Sequence, residues 1–158
     1  MADDDSSPAR RARGNVEQYF GRLAQSYGDG EFYIRRREAT VAALADELTQ
    51  AHRMLDLGCG NGRYLFEFGK SAPSAMVMGA DLTHEMLLEA RLRCGIGTPL
   101  IRADATAPPI RADALDIIFA SHVFQFIVDK DTAMVGLARC LTARGAIIIT
   151  VGARACAR

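Results

Sequence analysis

Two kinds of hydrophobic pattern divide the chain near residue 53. Beyond that point, short continuous apolar runs alternate with stretches of helical periodicity. Continuous apolar runs separated by helices are typical of strands buried on both faces of a parallel sheet. They predict five strands, at residues 54–57, 76–80, 99–103, 115–120 and 146–151.

Helical periodicity fills the intervals between these strands. It predicts helices over 62–70 and 83–93, and a third helix that Asp131 caps and Gly145 ends. Right-handed crossovers place such helices on both faces of the sheet. The sequence therefore predicts an α/β fold, a Rossmann-like three-layer αβα sandwich with a mainly parallel sheet of about five strands.

The N-terminal segment has no strand pattern. Residues 1–14 hold an acidic triplet and three arginines without apolar periodicity, which predicts a disordered tail. Asn15 stands at capping-box spacing from Gln18 and begins a helical periodicity that runs, with one break, to residue 48. We expect one domain over 15–158, made of a helical segment over 15–50 and a core over 51–158.

Composition narrows the classes of partner. The 158 residues are 49% hydrophobic, and 19 basic side chains balance 19 acidic ones, so no charge pattern favours nucleic acid or an anionic membrane surface. The longest apolar run, 145–153, is shorter than the roughly 20 residues that span a bilayer. The N-terminus has no apolar stretch of the kind found in secretory signals. These features predict a cytoplasmic protein without a nucleic-acid or membrane partner.

The four cysteines stand at positions 59, 94, 140 and 156. None of these spacings matches a metal site or a redox motif, so free thiols in a reducing compartment are expected. The sequence gives no reason to predict a bound metal.

A glycine-rich loop follows the first predicted strand. Gly58, Gly60 and Gly62 alternate with Cys59 and Asn61 immediately before a helix, two residues after Asp56. Glycines there let a ligand approach backbone amides at a helix N-terminus, which exceeds the needs of a tight turn. An acid at the strand end would repel a pyrophosphate and attract an ammonium group, so the ligand is expected to be cationic.

The spacing of the loop also bears on a dinucleotide. A dinucleotide fingerprint would place its third glycine at position 63, where Arg63 stands. A nicotinamide-dependent oxidoreductase shares the fold class and therefore stays an alternative.

Two further acids follow the second and third predicted strands. Asp81 is placed to accept both hydroxyls of a ribose, although it could instead cap a helix that Thr83 also caps. Asp104, followed by Ala105, suits an adenine amine, and its alternative is a loop-capping role. Carboxyl ends of parallel strands line one crevice, so Asp56, Asp81 and Asp104 are expected to lie together.

These blocks resemble class I S-adenosylmethionine-dependent methyltransferases, especially the small-molecule branch related to the ubiquinone and menaquinone methyltransferases. The resemblance covers about residues 19–151. It rests on Leu-Asp-Leu-Gly-Cys-Gly-Asn-Gly, Gly-Ala-Asp-Leu-Thr-His-Glu-Met-Leu, Arg-Ala-Asp-Ala and Leu-Asp-Ile-Ile-Phe-Ala-Ser-His. It implies a methyltransferase domain over 15–158 that binds S-adenosylmethionine.

The resemblance also implies roles for single residues. Asp56 and the glycine loop would hold the methionine part of the cofactor, and Asp81 would bind its ribose. Leu82 and Met86 would flank the adenine, Asp104 and Ala105 would bind its amine, and Ser121 would lie beside the sulfonium. The helices over 15–50 look like the lid of the family, in which Tyr19, Phe20 and Tyr27 would cover the cofactor, although core packing explains their spacing equally well.

His122 is the histidine nearest the expected crevice. It is a candidate general base, with an orienting or space-filling role as the alternative. For Arg36, contact with a carboxylate is the less favoured interpretation, because the run Arg35-Arg36-Arg37 is typical of a solvated face. Because Ser-His-Val-Phe replaces the Asn-Pro-Pro-Tyr type of motif, the expected acceptor is a small molecule methylated on oxygen or carbon.

Other functions remain open. An RNA methyltransferase would be expected to carry a basic face, which the balanced charge disfavours. A catalytically incomplete cofactor-binding fragment is the other alternative, because the family's sheet normally has seven strands. In that case the outer edge of 146–151 would be open, and self-association through this strand is expected.

Overall fold

The computed structural model describes residues 7–152, in which three α-helices precede a region of five strands and three further α-helices. The strands are β1 (Arg53–Leu57), β2 (Met76–Asp81), β3 (Leu100–Arg102), β4 (Leu115–Ser121) and β5 (Leu141–Thr150). The helices are α1 (Pro8–Leu23), α2 (Glu31–Ala43), α3 (Ala45–Gln50), α4 (Arg63–Ser71), α5 (His84–Cys94) and α6 (Lys130–Cys140), with a one-turn 3-10 helix at Phe124–Phe126.

The five strands form one sheet in the order β3-β2-β1-β4-β5. All four neighbouring pairs are parallel, and Asp56 of the central strand β1 lies between Gly79 of β2 and Phe119 of β4. The order reverses beside β1, so a crevice opens at the carboxyl ends of β1 and β4. The predicted Rossmann-like fold with a parallel five-stranded sheet is confirmed.

The sheet carries a hydrophobic core on each face, as strands with continuous apolar runs require. On one face, Leu55 and Ile118 pack with Leu137 of α6. On the other face, Met54 and Phe119 pack with side chains of α3 and α4. Helices therefore cover both faces, which makes the three layers of the sandwich.

The first helix begins earlier than the sequence predicts. Ser7 caps α1, since its hydroxyl accepts a hydrogen bond from the Arg10 amide at 3.3 Å, and Pro8 occupies a first-turn position that suits proline. The prediction of a disordered tail is therefore wrong for residues 8–14, and Asn15 lies inside the helix. Residues 1–6 of the predicted tail lie outside the described residues.

The last helix ends earlier than predicted. Asp129 caps α6, with its side chain accepting a hydrogen bond from the Thr132 amide at 2.9 Å, so the prediction for Asp131 is wrong. The helix stops at Cys140, whose carbonyl oxygen accepts a hydrogen bond from the Ala114 amide just before β4. That long-range contact draws the chain into β5 at once, and Gly145 lies in the strand instead of ending the helix.

Strand β5 bulges against β4. Between the pairs Leu115–Leu141 and Ile117–Ala146, four residues of β5 face one residue of β4. Within the described residues no strand pairs with the outer edge of β5. No helix among residues 7–152 is long and apolar enough to cross a membrane.

Candidate cofactor and acceptor site

A cavity opens at the carboxyl ends of the strands, where parallel α/β sheets bind their ligands. Its floor is formed by the ends of β1, β2 and β4, and its roof by α1 together with the segment after β4. Nine of the predicted site residues line it: Gly58, Gly60, Asp81, Leu82, Met86, Asp104, Ala105, Ser121 and His122.

The glycine loop follows β1 with three left-handed residues. Gly58, Gly60 and Gly62 have φ of 66°, 53° and 79°, a region that favours glycine. A β-carbon on Gly58 would overlap the side chain of Val123, which follows β4. The absence of a side chain therefore lets the segments after β1 and β4 meet at the cavity floor.

Asp81 ends β2 with both carboxylate oxygens engaged by backbone amides. Oδ2 accepts a hydrogen bond from the Gly60 amide at 2.8 Å, and Oδ1 accepts one from the Thr83 amide at 2.8 Å. Burial raises the pKa of Asp81, and these hydrogen bonds oppose that effect. Each oxygen keeps a second lone pair, so the carboxylate both fixes the glycine loop and can accept hydroxyl groups from the cavity.

Asp104 lies at the other side of the cavity, in contact with α1. Its Oδ1 accepts hydrogen bonds from the amide and hydroxyl of Thr106, each at 2.8 Å. Its Oδ2 lies 2.6 Å from Arg13 Nε, the distance of an ion pair, yet it is buried and accepts no hydrogen bond. One oxygen of Asp104 is therefore available to a donor that displaces or joins Arg13.

Asp56 is placed differently from the other two acids. It is 2% exposed, it does not line the cavity, and its Oδ2 accepts no hydrogen bond. Burial, reinforced by the negative charge of Asp81, raises the pKa of Asp56 well above its usual range. The same causes, with Asp56 itself adding to them, raise the pKa of the buried Cys59 thiol, so Cys59 stays a protonated spacer.

The side chain of Asn61 faces away from the cavity, toward the end of α1. Its Nδ2 donates hydrogen bonds to the carbonyl oxygens of Ala24 and Tyr27, each at 2.9 Å. Arg63 Nε donates to the same Tyr27 oxygen at 2.8 Å, and Arg63 also pairs with Asp29. Asn61 and Arg63 therefore join the glycine loop to the helices over 15–50.

Helix α1 contains no buried residue, so its aromatic side chains are not core. Phe20 and Tyr27 line the cavity, with ring centroids 5.5 Å apart in an edge-to-face arrangement. Phe126 contacts Phe20 from the opposite wall at 5.1 Å. Tyr19 is 60% exposed and does not line the cavity.

His122 follows β4 in a left-handed conformation, with φ of 56°. Such a φ is uncommon outside glycine and occurs often at functional sites. Its amide donates to the Thr150 carbonyl oxygen at 2.9 Å, which fastens the turn to β5. Its Nε2 lies 2.9 Å from Arg36 Nη1, which can only donate, so the imidazole accepts this hydrogen bond and is neutral.

The electrostatics of His122 agree with that geometry. Burial, followed by the positive charge of Arg36, lowers the pKa of His122. The neutral form can accept a proton, but the lone pair on Nε2 is engaged by Arg36. The hydrogen bond thus favours the base-competent charge state and occupies the atom that a base would use.

The sequence analysis missed Arg13 and Phe126 as cavity residues. The arginine-rich stretch around Arg13 has no apolar periodicity, so the sequence alone predicts a tail there. Its partner, Asp104, lies far along the chain. Phe126 belongs to an irregular segment with no periodicity. Arg36 and His122 are each candidate residues in the sequence. Because 86 positions separate them, the sequence does not predict that they pair.

Residues 55–149 match a protein family described as a methyltransferase domain. The chain belongs to this methyltransferase domain family. Malonyl-[acyl-carrier protein] O-methyltransferase of Legionella pneumophila is 33% identical over 100 residues, which cover 62% of this chain and 35% of that protein. Trans-aconitate 2-methyltransferase of Acidovorax ebreus is 32% identical over 121 residues, which cover 75% of this chain and 45% of that protein.

Among solved structures, a complex of DhpI with SAH (S-adenosylhomocysteine) shares the fold. It aligns with a TM-score of 0.70 and 18% identity, covering 91% of this chain and 70% of that chain. The methyltransferase domain has S-adenosylmethionine as its cofactor, and nothing in these comparisons supports a nicotinamide-dependent oxidoreductase. The chain spans less than half the length of the two curated relatives described above.

The residues of the cavity fit this cofactor. An adenosine needs apolar walls with a few acceptors, and the methyltransferase domain provides Leu82 and Met86 beside the carboxylates of Asp81 and Asp104. Oδ2 of Asp104 is buried and pairs with Arg13 Nε without a well-aligned hydrogen bond, so it can accept one from a donor on a ligand. An exocyclic amine is a group that would supply that donor.

Proposed function

We propose that this chain carries out methyl transfer from S-adenosylmethionine to a small-molecule acceptor, on oxygen or carbon. The observation that carries the proposal is the anchored Asp81 carboxylate, which faces a cavity with apolar walls at the switch point of the sheet. The names of the curated relatives, one of them an O-methyltransferase, support a small-molecule or carrier-bound acceptor.

The proposed cofactor contacts follow the cavity wall. Asp81 accepts the ribose hydroxyls, Leu82 and Met86 flank the adenine, and Asp104 with Ala105 binds its amine. Gly58 and Gly60 leave room for the methionine part, and Ser121 lies beside the sulfonium end. We propose that four further residues support the cofactor indirectly, by shaping the glycine loop, because they do not line the cavity: Asp56, Cys59, Asn61 and Gly62.

The cofactor supplies a methyl group on sulfur, which already carries a good leaving group. The chain therefore has to align the acceptor with the methyl carbon and to exclude water. Phe20, Tyr27 and Phe126 form an aromatic roof that serves the second purpose, which makes residues 15–50 the proposed lid. We propose that His122, which lies on the cavity wall at the end of β4, acts on the acceptor, either as a general base or by orienting it.

Calorimetric titration of the 158-residue chain tests the proposal. S-adenosylmethionine and S-adenosylhomocysteine are expected to bind saturably at one site, and NAD is expected not to bind. Binding of NAD without binding of either sulfur compound would overturn the methyltransferase assignment.

We also propose that the outer edge of β5 pairs with β5 of a second copy of this chain. The strand exposes Ile149 to 39%, and no described strand covers its edge. Open apolar edges recruit further strands, although the bulge before Ala146 shortens the regular part of this edge. In this proposal the uncovered edge lowers activity until a strand pairs with it.

Light scattering tests the edge. The wild-type chain is expected to form dimers or larger species, and Ile149→Lys is expected to be monomeric because a charge at the edge opposes pairing. Ile96→Lys is the matched control, since Ile96 is 95% exposed and lies far from the edge in the loop after α5. A monodisperse, active wild-type monomer would contradict the proposal.

We place the protein in the cytoplasm as a part of this proposal. Cys59, Cys94 and Cys140 are free thiols, and two of them are buried, which suits a reducing compartment. Microscopy of a fluorescent fusion in the source cells would test the location, and export of the fusion would contradict it.

A further inference from the structure

Arg36 is a charged side chain with an incomplete set of partners beside the cavity. It lies in the middle of α2, and its guanidinium sits 5.1 Å from the ring centroid of Tyr33 and 5.7 Å from that of Phe32. Its Nη1 donates to His122, and His122 lines the cavity. Arg36 itself does not line the cavity, and this one hydrogen bond links it to the acceptor end of the site.

The rest of the guanidinium is not satisfied. Nε is buried and donates no hydrogen bond, and Nη2 makes none to any residue in 7–152. No carboxylate of that part of the chain lies within ion-pair distance of Arg36. A buried N–H without an acceptor is unfavourable, and a partly buried cation without an anion adds to this.

Several other arginines of residues 7–152 pair with carboxylates, and Arg37, which makes no ion pair in that part of the chain, has no buried nitrogen without a hydrogen-bond partner. Arg35, one position before Arg36, is exposed and pairs with Glu31 at 2.5 Å. Arg63 and Arg102 also pair with carboxylates. The helix thus holds an acid for Arg35, and the described residues provide none for Arg36.

We infer that Arg36 binds a carboxylate of the methyl acceptor and that this carboxylate is the group that is methylated. This inference rests on the proposed function. Nε and Nη2 form a two-pronged edge that matches the two oxygens of a carboxylate. The rings of Phe32 and Tyr33 lie 5.7 Å and 5.1 Å from the guanidinium carbon, and neither ring is buried, so both can shift to admit a carboxylate.

The chemistry of such an acceptor suits the site. A carboxylate oxygen forms a bond with the methyl carbon while the carbon–sulfur bond breaks, and that electron pair stays on sulfur. The products are a methyl ester and S-adenosylhomocysteine, and no proton is released. A carboxylate is already ionised at neutral pH, so no general base is needed.

The inference gives His122 a positioning role instead of the role of a general base. Its Nε2 holds Arg36 Nη1 and so fixes the direction of the guanidinium edge. Glutamine can accept the same hydrogen bond through its amide oxygen, whereas alanine cannot. His122→Gln is therefore expected to retain most of the turnover, and His122→Ala to raise KM for the acceptor more than it lowers kcat.

The binding test starts from the chain saturated with S-adenosylhomocysteine. Malonate, succinate and trans-aconitate are titrated in turn, each beside its matched amide. At least one acid is expected to bind saturably, and the amides are expected not to bind. Failure of S-adenosylhomocysteine to bind would contradict the proposed function itself, whereas its binding without any acid would overturn only this inference.

Two variants test whether Arg36 is the residue that binds the acid. Arg36→Gln is expected to weaken binding of the acid by about tenfold or more, since hydrogen bonds to a charged group are lost. Arg35→Gln is the matched control and is expected to leave both affinities unchanged, because Arg35 is exposed and its guanidinium pairs with Glu31. Unchanged affinity for S-adenosylhomocysteine in Arg36→Gln shows that the variant is folded, and equal effects of the two variants would overturn the assignment.

The position of the new bond is tested with S-adenosylmethionine labelled in its methyl group. A methyl ester releases its label as volatile methanol in alkali, whereas methyl ethers and C-methyl groups keep it. The product from the acid that binds is expected to lose its label in alkali. Label that resists alkali, or a His122→Gln variant whose turnover falls by about 10²–10⁴ as loss of a base requires, would overturn the inference.

Discussion

The two ends of the cavity are built in different ways. The proposed adenosine end is formed by the ends of adjacent strands, with Asp81 held by two backbone amides. The proposed acceptor end is lined by the turn after β4 and the aromatic roof, and the contact behind it joins two side chains, Arg36 of α2 and His122. Backbone contacts make the first end rigid, and side-chain contacts leave the second free to adjust to its ligand.

The largest expected effect concerns the rigid end. Asp81→Ala is expected to weaken S-adenosylmethionine binding by more than about tenfold, because charge-assisted hydrogen bonds to the ribose are lost and the Gly60 amide loses its acceptor. Calorimetry measures the effect, with Asp46→Ala on the exposed surface of α3 as the control. Equal affinities of wild type and Asp81→Ala would remove the ribose assignment.

Much of that rigid end could be predicted from the sequence. The glycine loop, Asp81 and Asp104 are recognisable because each directly follows a predicted strand, and parallel topology alone brings strand ends together. Arg13 could not be assigned, since its partner Asp104 is fixed only when α1 crosses the cavity. The early start of β5 also depends on a distant contact, the hydrogen bond between Cys140 and Ala114.

A second variant tests whether the segments after β1 and β4 contact each other at the cavity floor. Gly58→Ala is expected to destabilise the protein by about 1–3 kcal/mol, because its φ is left-handed and its new methyl group overlaps Val123. Urea unfolding measures this change. Gly69→Ala is the control, since a β-carbon there meets no atom within 4 Å, and it is expected to be neutral or stabilising.

Adding Val123→Ala to Gly58→Ala separates the two causes. The double variant is expected to recover the part of the stability that is lost to overlap, while the backbone strain remains. Additive destabilisation would mean that the segments after β1 and β4 do not press on each other at Gly58.

The smallest effect is expected where α1, a part of the proposed lid, contacts the adenosine end of the cavity. Arg13→Gln is expected to tighten S-adenosylmethionine binding by about twofold to fivefold, because the adenine amine no longer competes with a half-exposed ion pair. Arg22→Gln, in the exposed last turn of the same helix, is the control in the same calorimetric assay. Weaker binding in Arg13→Gln would show that the arginine holds the cofactor instead of competing with it.

The hydrogen bonds from Asn61 to the Ala24 and Tyr27 carbonyl oxygens have a consequence for the kinetics. Asn61 of the glycine loop is thus bonded to the segment that follows α1. A ligand that binds against the loop is therefore expected to fix the position of the helices that shape the acceptor end as well. The two substrates are therefore expected to bind in a compulsory order, with S-adenosylmethionine first. The methylated product then departs before S-adenosylhomocysteine, which makes the latter a competitive inhibitor against S-adenosylmethionine alone.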